Sequence, residues 1–153
     1  MGAPDITMKV SANVVNPSCT IDAPAVHNLG YMKRNKYPTD TKEYPPFDMK
    51  VACQSPVKTS LTATIIKGQL STRFRRHVSM VMLDGMINHD VNLSLRSIGY
   101  KTGTIDYIDY DSSTSFCQGD DNRACKIIPS VVVEPNAKLG TVNAIIRFNV
   151  QYD

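Results

Sequence analysis

Carboxylates and tyrosines interleave in "TIDYIDYD", residues 104–111, where Asp106, Asp109 and Asp111 stand beside Tyr107 and Tyr110. Paired carboxylates can act as acid and base on a glycosidic bond, and tyrosine rings stack on sugars. On a strand, Asp106 and Asp109 point to opposite faces and do not converge. A solvent-facing edge strand is the favoured reading. "STRFRRH", residues 71–77, gathers Arg73, Arg75, Arg76 and His77. Arginine pairs bidentately with carboxylate and sulfate, so this is either a patch for sialylated or sulfated glycans or, as we favour, a solvated loop. "CQGDDNRAC" offers Asp120, Asp121 and Asn122 as oxygen donors for Ca²⁺ without EF-hand spacing, and reads better as a polar turn closed by a disulfide. His27, His77 and His89 are scattered, no G-x-S-x-G elbow is present, and no glycine-rich loop cradles phosphate. No catalytic constellation emerges. The chain reads as a non-enzyme needing neither cofactor nor metal.

Four cysteines bear on compartment. Cys19 and Cys53 lie 34 positions apart, and Cys117 and Cys125 bracket the polar turn. These spacings do not fit a zinc site. Two disulfides, 19–53 and 117–125, are preferred over free thiols, although four cysteines permit three pairings and the sequence does not choose among them. The 17 basic and 14 acidic residues leave a net charge of only +3, too little to argue for a nucleic-acid or membrane partner. No apolar run approaches 18 residues. "MG" before "APDITM" reads as a start codon and cloning remnant on a mature, secreted chain.

The elements that position these residues show almost no helical periodicity. "PDITMKVSAN", residues 4–13, puts Pro4, Ile6, Met8, Val10 and Ala12 on one face and polar residues on the other. "FDMKVAC", "SLTATII", "HVSMVM", "VNLSLRSI" and "KIIPSVVV" follow as β-rich runs, separated by turn residues and by the proline-rich "YMKRNKYPTDTKEYPP". The chain ends in "GTVNAIIRFNVQYD", with Ala144, Ile146, Phe148, Val150 and Tyr152 on one face. Strands recurring every 10 to 15 residues predict a single all-β sandwich.

"VVNPSCTI", "FDMKVAC", "VSMVMLDG" and "LGTVNAIIRFNVQYD" resemble, in order and over residues 4–153, the pilin subunits of chaperone–usher fimbriae. The likeness is nearest to the minor tip or adaptor pilins of type 1 and P pili. It implies an incomplete immunoglobulin-like sandwich that lacks its last strand and is completed by a donor strand from a partner. It places a disulfide at Cys19 and Cys53, whereas Cys117 and Cys125 fall outside the family's general pattern. Residues 1–12 would be the donor-strand extension and 13–153 the pilin domain. The donor residues carried over are Pro4, Ile6, Met8, Val10 and Ala12; the acceptor groove is Ala144, Ile146, Phe148, Val150 and Tyr152. Implied partners are a periplasmic pilus chaperone, an outer-membrane usher and neighbouring pilins, in a fimbrium reached through the periplasm. Ile6 stands where many major pilins have glycine, and the extension is short, both of which resemble adaptor subunits. The alternative is an adhesin, or an adhesin's anchoring domain, binding host glycan or receptor.

Overall fold

The computed structural model describes residues 6–7 (backbone only), 18–24, 26–111 and 114–153. Among them thirteen strands follow in order: β1 (Ile6–Thr7), β2 (Cys19–Asp22), β3 (Lys42–Glu43), β4 (Phe47–Cys53), β5 (Thr59–Lys67), β6 (Gln69–Leu70), β7 (His77–Met82), β8 (Ile87–Ile98), β9 (Ile105–Tyr107), β10 (Phe116–Gly119), β11 (Arg123–Val133), β12 (Val142–Asn143) and β13 (Ile145–Tyr152). One sheet has the order β1-β13-β5-β10. The other runs β12-β7-β8-β11-β4-β2, with β3, β6 and β9 as short additions. The all-β expectation holds.

Local pattern accounts for each layer. In β4 the alternation buries Met49 and Val51 and exposes Asp48, Lys50 and Ala52, as a strand with one covered face requires. β13 buries Ile146, Phe148 and Val150 in the same way. Leu61 and Ala63 of β5 join Phe148 and Val150 against Met49, Val51, Val78, Leu93 and Ile127 of the second sheet, and this is the core. β11 is buried along most of its length because β8 flanks it on one side and β4, then β3, on the other. Pro129 falls where β4 hands over to β3, the one place in this central strand where a missing N–H interrupts no ladder.

Two disulfides do different work. Cys19 and Cys53 are direct partners across β2 and β4, within one sheet. Cys117 on β10 and Cys125 on β11 belong to opposite sheets, so their bond ties the two layers together at one corner. Beside it the Arg123 guanidinium, 5% exposed, donates to the carbonyls of Cys117, Asp121 and Thr59 and to Thr59 Oγ1, each at 2.9 Å. The polar turn of "CQGDDNRAC" therefore encloses a buried cation.

Candidate functional site

β13 lies at the margin of its sheet. Its inner edge pairs with β5 from Ile145 to Tyr152. On its outer edge, among the described residues, stands β1, parallel to it, with Ile6 opposite Phe148 and Thr7 opposite Asn149. The N-terminal segment expected to reach a neighbouring molecule thus meets its own chain's last strand. A tethered segment has a high effective concentration at any edge it can reach, which favours this pairing in a single chain. Of the expected donor residues, Pro4, Met8, Val10 and Ala12 lie outside the described residues, and Ile6 is placed by its backbone alone.

The expected acceptor residues lie along this edge. Ile146, Phe148 and Val150 are buried, with Phe148 edge-on to Phe116 at 6.2 Å between ring centroids. Ala144 precedes the strand, and the Tyr152 hydroxyl accepts a 3.0 Å hydrogen bond from the Cys19 amide. That bond joins the end of β13 to the start of β2 across the sandwich mouth. At the other end a cavity of about 280 Å³ opens between the sheets. Ala144, Ile146 and Phe148 line it together with Leu29, Met32 and Met80. Sequence reasoning missed the contribution of Leu29 and Met32. Their signal was the spacing of Val26, Leu29 and Met32 in a stretch without strand alternation.

The basic and acidic motifs come together elsewhere. Arg73 pairs with Asp90 at 2.8 Å and with Glu134, and Arg76 Nε lies 3.1 Å from Asp109. Two of the three arginines of "STRFRRH" are thus held by carboxylates, so the expected solvated loop is a clamped one. The His77 ring lies tilted between those of Phe74 (5.5 Å) and Tyr107 (6.2 Å), joining "STRFRRH" to "TIDYIDYD". Among the described residues β9 pairs with β8 alone and is exposed at each position, as an edge strand should be. Asp109 lies beyond it in a loop and does not converge with Asp106.

No family model and no curated protein matches this sequence. Among solved structures, the chain is similar to the P pilus rod subunit PapA at a TM-score of 0.58 and 13% identity, covering 88% of this chain and 99% of that one. It is similar also to a chain in the structure of a chaperone–usher pilus that bears on rod uncoiling, at a TM-score of 0.59 and 14% identity, covering 95% of this chain and 93% of that one. At such identities the shared property is the fold, an immunoglobulin-like sandwich over nearly the whole chain.

Proposed function

We propose that this chain is a structural, non-catalytic pilin subunit of a chaperone–usher fimbria, polymerised by donor-strand exchange. Residues 1–12 are the donor, and the outer edge of β13 with the cavity at its head is the acceptor. The observation that carries this reading is the docking of β1 on that edge with Ile6 opposite Phe148. The slot takes an N-terminal strand, and the same slot on a neighbouring subunit would take it between molecules. Main-chain hydrogen bonds then supply affinity and alternate side chains fill the pockets. Burying Ile6, Met8 and Val10 would contribute on the order of 5–8 kcal/mol before ordering costs. Because donor and acceptor are different segments of the chain, the exchanged contact is head-to-tail and propagates an open fibre.

Its partners are neighbouring pilins, a periplasmic chaperone that holds the groove before assembly, and an outer-membrane usher; its destination is the fimbrium on the cell surface. A minor or adaptor position rests on Ile6 at the place where many major pilins carry glycine. The test is to co-express the full chain, and a version lacking residues 1–12, with a fimbrial chaperone in the periplasm. Each is then run on an unboiled denaturing gel after incubation. A detergent-resistant ladder from the full chain alone is expected. Monomers from both, with no need for the chaperone, would sink the reading.

A further inference from the structure

A further pocket, of about 330 Å³, shares no lining residue with the cavity beside β13. Ile65 and Leu70 line it with Arg75, Arg76 and two carboxylates, Asp109 and Asp111. It is the meeting place of the arginine-rich loop and the Tyr-Asp segment, which lie some thirty residues apart in sequence. Three features mark it as more than a gap between loops. The Arg76 backbone is left-handed, with φ 60°, a conformation that costs a non-glycine residue and collects at functional positions. Arg76 Nε and the Tyr110 hydroxyl are both buried without an aligned hydrogen bond; Asp109 faces the first and the Leu95 backbone the second. Both atoms thus spend their polarity inside the protein, which leaves Arg75 as the cation open to a ligand. Lastly, Arg75 is exposed, and among the described residues no carboxylate pairs with it.

We propose that this pocket binds an acidic saccharide, the guanidinium of Arg75 taking its anionic group and Asp109 accepting from its hydroxyls. A bare anion fits poorly, because Asp109 and Asp111 would repel it. A neutral sugar leaves Arg75 unused. A sugar ring bearing one carboxylate or sulfate offers its anion to Arg75 and its hydroxyls to the carboxylates. Its C–H face has Ile65 and Leu70, the latter 56% exposed, to lie on, and the Tyr107 ring, 44% exposed, lies 6.2 Å from the ring of His77, the residue after Arg76. This assignment does not depend on the pilin reading, since the pocket is complete within one chain.

The test is saturation-transfer NMR on the purified full chain with sialyllactose, 3-sulfogalactose and lactose. Saturable transfer to an acidic sugar and not to lactose is expected, weakened at least about tenfold in Arg75→Ala and in Tyr107→Ala. Whichever acidic sugar responds identifies carboxylate or sulfate as the anion. Arg76→Gly supplies a second readout: glycine relaxes the backbone, so binding falls while the melting temperature holds or rises. A purely structural Arg76 would show no change in binding. No saturable transfer from either acidic sugar, equal transfer from lactose, or binding indifferent to both surface variants would overturn the proposal.

Discussion

The guanidinium of Arg123 leaves β11 in one sheet and donates to Thr59 on β5 in the other, while also holding the Cys117 and Asp121 carbonyls. Removing it strands several buried acceptors, and an unsatisfied buried acceptor costs far more than a hydrogen bond contributes. Arg123→Met should therefore lower stability by about 3 kcal/mol, read as a Tm fall of roughly 10 °C. Arg123→Lys should recover little, since a single ammonium cannot span Cys117 and Thr59 as a planar fork does. The packing leaves no slack: a Cβ at Gly119 would sit 2.8 Å from Arg123 Cδ. Glu134 makes a contrasting case. Burial pushes its carboxyl above the ordinary 4.5, the Asp90 side chain adds to this, and the Arg73 guanidinium opposes it. A folded-state pKa above the unfolded one means that the native state holds a proton the unfolded state releases. Stability from this group therefore rises as pH falls from neutral toward 4.5. Comparing urea midpoints of the wild type and Glu134→Gln, the difference should move in favour of the wild type between neutral pH and about pH 5. A parallel pair of curves would exclude it.

Strands and their cross-links set the next scale. The Cys19–Cys53 bond closes a loop of separation 34, and Cys117–Cys125 one of separation 8. On loop length alone, their removal costs about 4 and about 2.5 kcal/mol. Because the second bond joins the sheets at the Arg123 corner, the Cys117→Ala/Cys125→Ala pair should lose more than its loop predicts, and it should couple with Arg123→Met in a double-mutant cycle. Additive losses would show that bond and cation act independently. Most of these elements were legible as alternation: β4 through Met49 and Val51, β13 through Ile146, Phe148 and Val150. Arg123 was not legible, because an arginine amid "GDDN" reads as solvated until the fold brings Thr59 over it from 64 residues away. Nor were the carboxylate partners of Arg73, which lie 17 and 61 residues distant. Pattern reports which face a residue takes, and pairings over such separations are decided by sheet order.

At the scale of the whole molecule, the direction of β1 matters most. It lies parallel to β13, a register that local alternation does not specify, because either strand direction presents the same side chains to one face. A segment that pairs with its own groove competes with any strand offered by another molecule, and the tether favours the internal one. Removing residues 1–12 should therefore uncover the edge and lower Tm. Added in trans, the peptide PDITMKVSAN binds the native state alone and should restore stability by about 2.7 kcal/mol at a hundredfold excess over its Kd. Phe148→Ala, which empties the groove opposite Ile6, should cost about 3–5 kcal/mol in the intact chain and abolish rescue of the truncated one. A peptide with Ile6→Asp is the matching control from the donor side. If the truncated chain melts where the full chain does, and the peptide leaves it unmoved, then β1 is incidental to stability. The outer edge of β13 would then be no acceptor, for this chain or for a neighbour.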